Sequence, residues 1–121
     1  MGAEARTGKA MDPEQWPENT RLVWVNSPGN PDGAVLDAAA LRTARERASE
    51  LGAVFASDEC YAELGWEAPW DREQIPSALD PRVTGGNNTG VLSVYSLSKQ
   101  FPERFERGFV AQAVHLLRRR K

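Results

Sequence analysis

The chain of 121 residues is 40% hydrophobic and 26% charged, the balance of an ordinary globular chain, and it is long enough for one compact domain at most. With 15 basic against 17 acidic residues and a formal net charge of -2 it offers no broad positive surface to nucleic acid; the terminal "RRRK" at 118–121 is a local basic run of the kind that is usually solvated. A single cysteine, Cys60, excludes an internal disulfide and a cysteine-based metal cluster and suits a reducing cytoplasm, no apolar run approaches a membrane span, and the polar start "MGAEARTGKAMDPEQ" lacks the apolar core of a signal peptide.

Residues 1–20 are polar and carry Pro13 and Pro17, the composition of a flexible lead-in, which leaves 21–121 for the folded unit. "RLVWVN" is a short, continuously apolar run ending in a polar residue, the pattern of a strand covered on both faces. It runs into "SPGNPDG", whose two prolines and two glycines stop it. Asp37 is placed to cap a helix in which Leu41, Ala44, Ala48 and Leu51 recur at helical spacing and Gly52 gives the stop. "AVFAS" reads as a second buried strand closed by "DECY". Residues 65–90, rich in Pro, Gly, Asn and Asp, read as a long excursion with Trp66 and Trp70 packed beneath it. "VLSVYS" is a third strand leading to Lys99, and "GFVAQAVHLLRRRK" reads as a short strand followed by a helix with a basic end.

Strand, helix, strand in succession predicts parallel pairing through a crossover, hence an α/β layer structure with a mostly parallel sheet. Ligands of open α/β sheets sit outside the carboxyl ends of the strands. Asn26 and Asn30 follow the first strand, Asp58 and Tyr61 the second, and Ser96, Ser98 and Lys99 the third, so parallel strands would gather these groups at one edge. The end of the third run, "SVYSLSKQ", delivers an amine flanked by hydroxyls. A strand interior rejects an ammonium, so Lys99 belongs either at the surface or in a site.

An amide, a carboxylate, a phenol, hydroxyls and a lysine at one sheet edge match the needs of a pyridoxal 5'-phosphate site. Such a site uses a lysine for the Schiff base and an acid to keep the pyridine nitrogen protonated. Asp58 is the candidate acid, Asn30 and Tyr61 are candidate donors to the phenolic ring oxygen, and Ser96 with a later arginine is a candidate for the phosphate.

"NSPGNPDG", "SDECYAEL" and "SLSKQ", in this order and at these separations, resemble the central part of the large domain of fold-type I pyridoxal-phosphate aminotransferases of classes I and II. The resemblance covers residues 22–100, and each motif is weak alone while the three in register are strong. It implies part of a three-layer sandwich around a mostly parallel sheet. It also implies Asn30 and Tyr61 at the ring oxygen, Asp58 at the pyridine nitrogen, Ser96 at the phosphate, and Lys99 as Schiff base and general base. Arg107 falls at the spacing from Lys99 where the family has its phosphate-binding arginine, although "QFPERFERGFVAQ" departs from the small-residue stretch usual there and Arg104 stands as an alternative. The activity implied is transfer of an amino group between an amino acid and a 2-oxo acid in a cytoplasmic homodimer. "SDECYAELGWE" and "TGGNNTGVLSVYSLSKQ" look most like actinobacterial succinyldiaminopimelate aminotransferases of lysine biosynthesis.

The family's upstream glycine-rich segment, its aromatic stacking residue and its C-terminal domain have no counterpart in these 121 residues, so the chain reads as a fragment, expected to be inactive alone. Two other readings stay open: a non-catalytic truncated or frameshifted remnant, and a lyase or decarboxylase on the same fold. Plain roles also exist for each residue. Asp58 and Asn30 can be turn residues, Tyr61 can pack, Ser96 and Ser98 can be strand-end serines, Cys60 can be a small filler, and His115 can be structural or exposed.

Overall fold

The structure, a computed structural model, describes residues 12–96. Three strands, β1 (Leu22–Asn26), β2 (Val54–Asp58) and β3 (Val91–Val94), form one parallel sheet in the order β1, β2, β3. The helix α1 (Ala38–Glu50) makes the crossover from β1 to β2, and a one-turn helix α2 (Pro81–Thr84) lies in the longer connection to β3. This is the expected α/β arrangement.

Side chains alternate across a strand, so the register decides which residues share a face. Val23, Phe55 and Val91 are paired across the three strands, as are Val25, Ser57 and Ser93 one step further on. That face is packed: Val23, Val25, Phe55 and Val91 are buried in one core cluster with Leu41, Ala44 and Ala48 of α1, Val83 of α2, and Ala53 and Ala78. The stripe at 41, 44 and 48 is the apolar face that the helical period requires, and its two alanines leave room for the helix to lie close on the sheet.

Both ends of α1 follow local chemistry. Asp37 accepts a hydrogen bond from the Ala40 amide at 2.8 Å, satisfying one of the donors left orphaned at a helix start. Gly52, just past the last turn, takes a φ of 67° that a residue with a Cβ adopts only with strain.

The opposite face carries Leu22, Trp24 and Asn26 of β1 beside Val54, Ala56 and Asp58 of β2. Leu22 and Trp24 are 56% and 51% exposed there, and the described residues form the sheet and one helical layer. The expectation of β1 covered on both faces is therefore met on one face only. Continuous apolarity records what a strand is built to face; on this second side the cover is complete at Ala56 of β2 and partial at Leu22 and Trp24 of β1.

Two further differences come from contacts distant in sequence. Residues 12–20, the end of the expected lead-in, contain a single 3-10 turn at Pro13–Gln15 capped by Asp12, and Trp16 packs against the core. Arg47 of α1 holds this segment by donating to the Pro13 carbonyl and pairing with Glu18 at 3.0 Å. The excursion packs Trp70 only in part and leaves Trp66 80% exposed, so Trp66 is not packed beneath the loop as expected. At Gly65 a Cβ would collide with the Trp70 carbonyl, which fixes the residue there as glycine.

Candidate functional site

Parallel strands bring their carboxyl ends to one rim, and the backbone ties the rim together. The Ser27 amide, one residue past β1, donates to the Asp58 carbonyl at 3.1 Å, and the Glu59 amide, one residue past β2, donates to the Val94 carbonyl at 2.8 Å. Ser27 is buried, and its Oγ accepts from the Leu36 amide at 2.9 Å, closing the neck of the loop between. Inside that loop Gly29 and Gly33 are joined by a turn, with Gly33 at a φ of 67°.

Two candidates from different loops meet here. Asn30 Nδ2 donates to the Tyr61 hydroxyl at 3.3 Å across 31 residues of sequence. Asn30 is exposed and Tyr61 half-buried, so both keep a side open at the rim. The turn that carries Tyr61 starts directly after β2: Asp58 Oδ1 accepts from the Cys60 amide at 3.2 Å, and the Ala62 amide donates to the Glu59 carbonyl. This is the turn-capping role open to any strand-end aspartate. It occupies one carboxylate oxygen, while Oδ2 takes no hydrogen bond from a described residue. Asp58 lies on the face of the sheet opposite α1, in register with Asn26.

Ser96 lies two residues past β3 and is buried, on the same rim. Asn30, Asp58, Tyr61 and Ser96 therefore all stand at the carboxyl ends of the three strands, and Asn30 and Tyr61 are in direct contact. Lys99 and Arg107, with Arg104, Ser98 and His115, lie outside the described residues.

Sequence reasoning passed over Glu59. The residue is 4% exposed, and its carboxylate accepts from Ser77 Oγ at 2.8 Å, the Ala78 amide at 2.7 Å and Ser93 Oγ at 2.7 Å. The signal was present in the alternation, since Glu59 continues the packed face of Phe55 and Ser57, but its partners come from two remote segments. Tyr95, also passed over, donates to Glu63 Oε1 at 3.3 Å; burial, then the nearby Glu63 charge, raise its phenol above the ordinary value. Beyond Tyr61 the excursion encloses an open cavity of about 380 Å³ lined by Glu63, Gly65, Trp70, Asp71 and Arg72 among others. Among the described residues no group of three or more His, Cys, Asp or Glu side chains is placed to hold a metal ion, and no helix is long and apolar enough to cross a membrane.

The fold and rim define an open α/β unit whose polar side chains collect at the carboxyl ends of parallel strands, the usual ligand position of such sheets. Comparison with known proteins narrows the class: the chain belongs to the aminotransferase class I and II family, whose model matches residues 4–102. It is 47% identical over 83 residues to a 4-dedimethylamino-4-oxo-anhydrotetracycline transaminase of Streptomyces rimosus, a match covering 69% of this chain and 22% of the relative. Among solved structures it is similar to an aminotransferase from Neisseria meningitidis, with a TM-score of 0.63 and 33% identity, covering 78% of this chain and 23% of the other. A probable N-succinyldiaminopimelate aminotransferase from Thermus thermophilus matches with a TM-score of 0.57 and 27% identity, covering 67% of this chain and 20% of the other. The chain thus spans about a fifth of the length of these relatives.

Proposed function

We propose that this chain carries the cofactor-binding centre of a pyridoxal 5'-phosphate-dependent aminotransferase, which moves an amino group between an amino acid and a 2-oxo acid. The observation that carries the reading is the contact of Asn30 with Tyr61 at the rim, together with the position of the Asp58 carboxylate on the adjoining strand end. The donor set fits the group: an amide and a phenol suit an anionic ring oxygen, a carboxylate suits a protonated ring nitrogen, and a buried hydroxyl suits a phosphate oxygen.

When bound, pyridoxal phosphate supplies the electron sink that stabilises negative charge at the substrate α-carbon. The protein does the rest. Asp58 would hold the proton on the pyridine nitrogen, while Asn30 and Tyr61 would donate to the ring oxygen and favour its anionic form. Ser96 and Arg107 would bind the phosphate, the arginine adding a charge-assisted contact. Lys99, three residues beyond Ser96, would supply the amine that anchors the cofactor and would serve as the base for the α-proton.

For the substrate we favour an amino acid with a second carboxylate-bearing arm, N-succinyl-diaminopimelate, supported by the motif resemblance and by the Thermus thermophilus neighbour of that name. The parent would act as a cytoplasmic homodimer in lysine biosynthesis. The second reading, that the 121-residue chain is by itself non-catalytic, is supported by its spanning about a fifth of the length of the relatives it matches.

Incubation of the chain with pyridoxal phosphate, borohydride reduction and peptide mass mapping tests the cofactor reading. A stable adduct on Lys99, lost in K99A, is the expected result. A folded chain, checked by circular dichroism, that gains no adduct contradicts it. In the parent, amino-group appearance on 2-oxoglutarate separates a transaminase from a lyase or decarboxylase, which needs no acceptor.

A further inference from the structure

Glu59 is the most deeply enclosed acid among the described residues, and the proposed chemistry leaves it without a task. Burying a carboxylate is costly unless hydrogen bonds compensate it, and here three donors converge on it from two segments, Ser77 and Ala78 of the loop before α2 and Ser93 of β3. Anchoring the loop alone would need only the first two. The third bond reaches across to the neighbouring strand, and one residue further along that strand the Glu59 amide holds the Val94 carbonyl. Glu59 thus grips β3 twice at consecutive residues, by side chain and by main chain, just before the strand runs out to Ser96.

Alternation gives the grip its meaning. Asp58 lies on the face opposite α1 and Glu59 continues the face packed on α1, so one peptide unit joins the rim carboxylate to the buried one. A slip of Ser93 and Val94 relative to this peptide would change the separation of Asp58 and Ser96. A rigid ligand that must reach both tolerates little such slip.

We infer that Glu59 is a positioning residue: its buried carboxylate clamps β3 to the end of β2 and so fixes the spacing of Asp58 and Ser96 at the rim. The consequence for ligand binding rests on the cofactor reading above; the clamp itself does not.

The test uses the full 121-residue chain and two readouts. In amide hydrogen exchange followed by NMR, S93A is expected to speed exchange at the amides of Glu59 and Cys60 by roughly tenfold, the loss of one charge-assisted bond, whereas S77A, which removes a bond to the same carboxylate but none to β3, is expected to change both rates much less. E59A is expected to speed both and E59Q to restore them, since its side-chain amide can accept from Ala78 and donate to a turned serine hydroxyl. In the second readout, S93A weakens binding of pyridoxal phosphate by roughly tenfold but leaves binding of pyridoxal, which has no phosphate, unchanged. General destabilisation would weaken both ligands alike, and that outcome overturns the inference. So does unaltered exchange at Glu59 and Cys60 in S93A, or a wild-type chain in which neither amide is protected. A wild-type chain that binds neither ligand refutes the cofactor reading, while the exchange pattern still decides the clamp.

Discussion

Asp58 and Glu59 are consecutive acids, yet one stands half-exposed beside a turn while the other is enclosed by three donors. Period-two alternation separates them in the sequence itself, and the rim position of Asp58 was legible because strand-end acids after a buried run have few other places to go. The partners of Glu59 were not legible, because Ser77 and Ser93 are ordinary serines until the fold delivers them 18 and 34 residues away. The same holds for Tyr95 and Glu63, which meet across 32 residues. Burial first and the adjacent carboxylate second raise the Tyr95 phenol, so the folded state holds its proton more tightly than the unfolded chain. The stability this contributes is complete below the unfolded value of about 10 and disappears as pH rises through the higher folded value. In a Y61F background, where Tyr95 is the sole tyrosine, phenolate absorbance should therefore appear above the ordinary tyrosine range. E63Q should move it part of the way back, since burial persists. A titration unmoved by E63Q would rule out the carboxylate as a cause.

Among the elements, α1 was the most legible, because three independent local signals agree on it: the Asp37 cap, the 41, 44, 48 stripe and Gly52 beyond its end. Replacing Asp37 by alanine leaves the Ala40 amide without its partner and should cost about 1 kcal/mol of unfolding free energy, read from urea denaturation, whereas D37N should cost far less. Equal losses in both variants would point to charge rather than capping. The sheet order was legible only as parallel connection; which face of β1 would be covered depends on segments distant from it. The one-turn α2 escaped the sequence reading because four residues carry no periodicity. It is set by the Asp80 cap, where the Arg82 side chain and amide hold the carboxyl below its ordinary range. The turn at Pro13–Gln15 was hidden for a different reason: it is held by Arg47, 34 residues away, through the Pro13 carbonyl.

At the scale of the sheet, the described residues leave the second face of β1 half-exposed at Leu22 and Trp24. Among the described residues β1 is an edge strand, and an exposed apolar strand at a sheet edge favours pairing with other chains. Replacing Trp24 with threonine keeps the strand preference and removes most of that apolar surface. It should leave the thermal midpoint little changed and shift the chain toward monomer in sedimentation; a large drop in the midpoint would show that Trp24 is already covered. The neck at Ser27 has a separate implication. A single buried serine closes the segment 28–35 at both ends, its amide on the Asp58 carbonyl and its hydroxyl on the Leu36 amide. Between those two bonds the loop is tied to the rest of the rim through Asn30 and Tyr61, so descendants of this chain can trade its length around Asn30 without shifting the strands on either side.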